Sequence, residues 1–266
     1  MTSAEFAAYV GAAAWLPQIT TWLYKGLILP KLTIVPERHA EIGFTSYGAI
    51  FNLRMALSAD RKDLIIAGFE LDVTHQDGEK RVFRWSGIQE HLGETRDAAG
   101  VQQGQLMKDQ LPIALKVGTL SLTERFIRFQ EPRYEETLRP LMQNLVAHFN
   151  YLKRTDPNFV ATTLNSKELL QVLDSREKSF WWKPGRYELR MRPTSPKRFA
   201  LAGDRYWFEL TAIDVDRLRQ NIQTLRADME NTVRSNLGDF TPVAITWNWA
   251  YALLNEGQFP ALVKSR

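Results

Sequence analysis

Apolar and polar residues alternate with a period of two through the first third of the chain. Phe51, Leu53, Met55 and Leu57 are apolar, and Asn52 and Arg54 fall between them. That period puts successive side chains on opposite faces of a strand. Phe69, Leu71 and Val73 repeat the pattern, with Glu70 and Asp72 turned outward. Asp77-Gly78 follows, a dipeptide suited to a tight hairpin because both residues tolerate positive φ, and residues 82–85 return as the next strand. Half-buried antiparallel strands read this way, and such a sheet needs a second layer over its apolar face. Upstream, Pro30 and Pro36 bracket residues 31–35 and predict an edge strand, since proline cannot donate to a ladder. Residues 90–110 are polar and contain Gly93, Gly100 and Gly104, which predicts a long exposed loop. Residues 111–117 and 120–129 read as two further strands.

The period then changes. Leu138, Leu141, Leu145, Phe149 and Leu152 recur at helical spacing, and Pro140 must sit near the first turn or kink the helix. Asp156-Pro157-Asn158 ends this helix, and Ser166 is a good N-cap for a second one. Residues 133–180 therefore predict a helical pair. Strands resume with Tyr187, Leu189 and Met191, then with Tyr206, Phe208 and Leu210. Thr211 or Asp214 caps a helix over about 214–236, with Val215, Leu218, Ile222, Leu225, Met229 and Val233 on one stripe. Thr241-Pro242 and Gly257 bound a last apolar segment, residues 243–254, read as a helix too short to span a membrane that is buried or lies in an interface. The domain plan is an apolar helix over 1–29, a body over 30–236, and a C-terminal apolar helix and tail over 237–266.

Around the strand at 187–191 a resemblance emerges. Residues 184–189, Pro-Gly-Arg-Tyr-Glu-Leu, resemble the start of the sixth strand of immunoglobulin-like sandwiches, where a tyrosine hydroxyl bonds back to the backbone. Antibody domains carry a cysteine two residues after that tyrosine; here the position is Leu189. The resemblance implies a mainly β, α+β fold: an immunoglobulin-like antiparallel β-sandwich with an inserted helical pair and C-terminal helices. The layout is also similar to bacterial proteins in which an apolar N-terminal segment precedes a β-sandwich, which implies an architecture and no activity.

Residues 6–24 bear on localisation, because none of them is charged. A spanning helix needs about 20 predominantly apolar residues, so the length is marginal. Trp15, Trp22 and Tyr24, with Lys25 after them, are the candidate interface anchors. Glu5 and the lack of a preceding cation argue against a cleaved signal peptide. If the segment spans, Lys25, Lys31 and Arg38 place the body of the chain on the cytoplasmic side of the membrane. The other reading is a cytoplasmic protein whose apolar helix packs on its own core or in a homo-oligomer.

Composition narrows the chemistry. There is no cysteine, which excludes disulfides and thiolate metal sites. The net charge of +4 is spread among acidic residues, with no aromatic-and-basic strip, so nucleic acid is not the expected partner. Asp72, His75 and Asp77 cluster near the hairpin, but Asp72 and His75 are an odd number apart and face opposite ways on a strand. No nucleophile elbow, phosphate loop or dinucleotide fingerprint is present. No catalytic residue, metal ligand or cofactor is therefore assigned. Phe180, Trp181 and Trp182 form the candidate partner-binding cluster, set against the alternative that they enter the core. The leading expectation is a non-catalytic, membrane-associated binding or scaffold protein with a protein partner. The alternatives are a structural or assembly subunit whose N-terminal helix packs in an oligomer, and an enzyme with an unrecognised site.

Overall fold

A computed structural model describes residues 15, 17–21, 28–96, 102–237 and 240–257, with the side chains of residues 90–109 outside the description. Trp15 and residues 17–21 are helical and exposed. Trp22, Tyr24 and Lys25 lie outside the described residues. Among the described residues no helix is long and apolar enough to cross a membrane.

The alternating stretches are strands. β1 (Lys31–Pro36) and β2 (His39–Thr45) run antiparallel to the long β3 (Gly48–Asp60). β4 (Leu64–Ile66), β5 (Gly68–His75) and β6 (Lys80–Arg96) follow, then β7 (Gln102–Gln110), β8 (Leu115–Val117) and β9 (Thr123–Gln130). Residues 90–96 and 102–110 are thus strand rather than loop, because β6 and β7 pair antiparallel there. Three helices follow: α1 (Pro132–Thr155), α2 (Phe159–Leu164) and α3 (Lys167–Lys178). Ser166 caps α3 as expected, its hydroxyl accepting from the Leu169 N–H. Pro140 lies inside α1. After β10 (Gly185–Thr194), β11 (Ala200–Ala202) and β12 (Arg205–Leu210) comes α4 (Ala212–Arg234). Its Thr211 and Asp214 form a capping box.

The segment read as a C-terminal helix is extended instead. β13 (Trp249–Leu253) pairs with β2, and β14 (Asn255–Glu256) pairs with β12. Only Leu254 separates these two strands, so residues 249–256 bring the two edges of the sheet together. Ala250 and Ala252 are buried while Tyr251 and Leu253 are exposed, the period of a strand. The immunoglobulin-like sandwich is not seen as such. Twelve described strands join in one curled, antiparallel-rich sheet. The physical reason is the length of β3 and β6. Each is long enough to carry different partners along its two halves, which lets one sheet turn back over its own face.

Inside the curl Leu32, Ile42, Phe51, Leu53, Phe69, Leu71, Phe129, Leu189 and Phe208 form the core. Tyr187 stacks on Phe208 with ring centroids 5.0 Å apart. The registers define two ends. Lys31 faces Asp60, Leu57 faces Thr123 and Gly68 faces Thr194 at one end. Thr45 faces Gly48, Ile50 faces Gln130 and Gly185 faces Leu210 at the other, where α1 and α4 attach to the sheet.

Candidate binding cleft and apolar end

The aromatic cluster turns inward. Trp181 and Trp182 are 2% and 1% exposed, so they are core side chains and offer a partner no surface. Trp182 donates from Nε1 to the Gly43 carbonyl at 2.9 Å and stacks on Phe83. Phe180 is half-buried, edge-on to Phe44 at 5.1 Å and covered by the Arg219 guanidinium. The expected partner patch is therefore a plug at the helical end of the sheet.

Asp72, His75 and Asp77 are likewise accounted for. His75 lies 3.0 Å from Asp77, and Asp77 also accepts from the Lys183 ammonium at 2.8 Å. The Lys183 bond, first among several, holds the Asp77 carboxyl well below its usual range. Asp72 pairs with Lys80 and Arg192. Among the described residues no group of His, Asp and Glu converges on a metal position.

The concave site is elsewhere. A cleft of about 940 Å³ opens between α1 and the sheet at the helical end. Tyr134, Leu138, Met142 and Val146 line it from α1 at steps of four residues, which stacks them on one face of the helix. Arg84, Trp85 and Ser86 of β6 form the opposite wall, and β6 slips register against β9 between Trp85 and Gly87. Such bulges re-aim side chains beside sites. Ser46 and Tyr47, in the β2–β3 turn, close one side. That turn needs glycine at position 48, where φ is +80° and an added Cβ would strike the Tyr134 ring.

Charges around the cleft are mostly matched. Glu131 takes a 2.6 Å bond from Arg81, Arg84 pairs with Glu70 at 2.8 Å, and Arg139 pairs with Glu135 at 3.2 Å. Arg176 of α3 is the exception. It is 6% exposed, it lines the cleft, and its Nε and Nη1 have no hydrogen-bond partner among the described residues. The hydroxyl of Tyr134, which also lines the cleft, is likewise buried and unpartnered among the described residues. Burial pushes its pKa up to about 12, with the nearby Arg176 charge pulling the other way, so it is a protonated donor at neutral pH.

On either side of β8, which pairs with β4 toward the other end of the sheet, apolar side chains face outward. Leu111, Ile113, Leu120 and Leu122 are 62% to 100% exposed, and Ile65 is exposed beside them on β4. Lys31, Arg61, Lys62 and Lys116 belong to this end, with Asp60 and Asp63 among them. Lys31 opens β1 there, facing Asp60.

Comparison with known proteins returned no match: no family model fits the chain, and neither a curated protein nor a solved structure matches it. Neither the cleft nor the apolar end is evident from sequence. Arg176 does leave one signal, because it occupies the third place of a buried stripe after Leu169 and Val172, where an apolar residue is expected.

Proposed function

We propose that this is a non-catalytic binding protein that works at a lipid surface, with the apolar end of the sheet turned toward the bilayer. The carrying observation is the set Leu111, Ile113, Leu120 and Leu122, four large apolar side chains exposed in the two connections that flank β8. Each such side chain gains about 1.5–3 kcal/mol on leaving water, so partial insertion of a few of them supports reversible attachment. Lys31, Arg61 and Lys62 at the same end favour an anionic headgroup layer.

The test is flotation of the full-length chain with vesicles containing phosphatidylserine, against vesicles of phosphatidylcholine alone. The parent floats with the anionic vesicles, and the combined variant Leu111→Ser, Ile113→Ser, Leu120→Ser and Leu122→Ser floats at least about tenfold less. A variant that floats as well as the parent removes this end from the interaction. A parent that stays in the aqueous fraction, and forms a dimer that the variant does not, assigns the surface to a second copy of the chain.

A further inference from the structure

The cleft under α1 contains a positive charge that the described chain leaves unanswered. Every other charged side chain lining it has an ionic partner: Glu131 has Arg81, Arg84 has Glu70, and Glu135 and Arg139 have each other. Arg176 has the deepest burial of these arginines, and it alone among them has buried N–H donors, Nε and Nη1, without a partner among the described residues. Buried guanidinium groups are normally paired, because the charged form is poorly solvated by protein. The hydroxyl of Tyr134, another residue lining the cleft, adds a second unpartnered donor. Beyond these two groups the cleft offers apolar side chains, Leu138, Met142 and Val146 on α1 and Trp85 on the opposite β6 wall.

We propose that this cleft binds a small organic acid, its oxyanion held by Arg176 and Tyr134 and its apolar chain or ring lying along Leu138, Met142 and Val146. A guanidinium offers parallel N–H donors that match the two oxygens of a carboxylate or phosphate. Tyr134 stays protonated at neutral pH and so donates to the same anion. A volume of about 940 Å³ lies in the range that holds a ligand of this size. The inference stands on the cleft alone and does not depend on the lipid-surface reading, whose contacts lie at the opposite end of the sheet.

Calorimetric titration of the full-length protein with decanoate, decanol and acetate, below their aggregation concentrations, tests it. Decanoate binds, while decanol, which lacks the charge, and acetate, which lacks the chain, bind at least about tenfold more weakly. Arg176→Met lowers decanoate affinity by at least about tenfold, the loss expected for a charge-assisted hydrogen bond, and leaves decanol unchanged. Arg176→Lys restores part of the loss. Ala147→Trp, on the exposed side of α1, fills the cleft and weakens both decanoate and decanol without touching Arg176. Decanoate and decyl phosphate are compared directly to distinguish a carboxylate from a phosphate head. No heat from either acid, or an Arg176→Met protein that binds decanoate like the parent, overturns the proposal. So does an Arg176→Met protein that melts below the parent, since the guanidinium would then serve the fold.

Discussion

The Tyr187 hydroxyl donates to the Lys183 carbonyl at 2.9 Å and accepts from the Lys183 backbone N–H at 2.7 Å. It thereby closes a loop of the chain that carries Trp181 and Trp182 into the core. The Lys183 ammonium extends the tie to the β5–β6 hairpin, reaching Asp77 and Glu79 at 2.8 Å each. Tyr187 itself is fully buried. Tyr187→Phe removes both backbone bonds and leaves partners unsatisfied, at a cost of about 1–3 kcal/mol. Tyr187→Ala also opens a cavity and costs about 3–5 kcal/mol, as for other large aromatic truncations. Denaturant midpoints check both values. A Tyr187→Phe midpoint equal to the parent's means that the loop is held by the tryptophans without this bond.

Alkaline pH should act through the same residue. Burial is the first cause that raises the hydroxyl pKa values of Tyr134, Tyr187 and Tyr206 from 10.0 to about 12. Their folded pKa values exceed the unfolded ones, so the native state favours the protonated form. The stability this contributes is fully present below about pH 10 and is lost as pH rises toward about 12. Unfolding midpoints in urea should therefore fall between about pH 10 and about pH 11.5. Tyr187→Phe should lose stability less steeply over that interval, since it has one fewer group to ionise. An equal slope in parent and variant assigns the alkaline loss to other groups.

The legible parts of the sequence are those with one dominant period. Phe51 to Leu57 and Phe69 to Val73 announce strands because one face is core and the other polar. Ser166 and Thr211 announce helix starts because their side chains have a specific local partner. Residues 243–254 read as a helix because apolar residues on every side do not choose between a buried helix and a closing strand. The β6–β7 hairpin is hidden by its polar composition, since a ladder is made of backbone bonds and does not require apolar side chains. The single curled sheet is out of reach for another reason. Tyr187 makes the bond expected of a tyrosine corner, but a local bond constrains only local backbone and does not say how strands far apart in sequence pair. Arg176 and Asn221 are polar residues at apolar stripe positions, and no spacing rule distinguishes a satisfied core amide from an unpartnered buried cation.

Asn221 illustrates the satisfied case. It is fully buried on α4, and its amide donates to the Phe44 carbonyl at 3.0 Å and the Asn248 carbonyl at 2.8 Å. Its carbonyl accepts from the Asn248 N–H at 2.8 Å. The side chain thus fixes the residue immediately before β13, the strand that joins the two edges of the sheet. Asn221→Ala should cost about 1–3 kcal/mol or more, because three backbone groups lose a buried partner. Hydrogen exchange should quicken first at residues 249–256, which depend on that anchor. Uniform loss of protection across the sheet would mean that the closing strand has no separate stability.

Arg176→Met is expected to do the opposite of most core substitutions. The two side chains share an unbranched stem, so the change removes the charge while keeping most of the packing. What disappears is a guanidinium that is 6% exposed with Nε and Nη1 unpartnered among the described residues. An unsatisfied buried polar group costs about 1–3 kcal/mol, and charged groups cost more, so the variant should gain at least about 1 kcal/mol. For a chain of this length that is a rise of roughly 2–4 °C in Tm for each kcal/mol. Glu131→Gln provides the contrast on the same cleft wall. It weakens the 2.6 Å bond from Arg81, whose guanidinium also lies 5.3 Å from the Trp181 ring, and should destabilise by about 1–3 kcal/mol. Thermal melts of the two variants side by side decide the point. A gain at Arg176 with a loss at Glu131 identifies one charge as idle in the fold and the other as part of it. A loss at both would mean that Arg176 finds a compensating partner in the folded protein, and that its burial is structural.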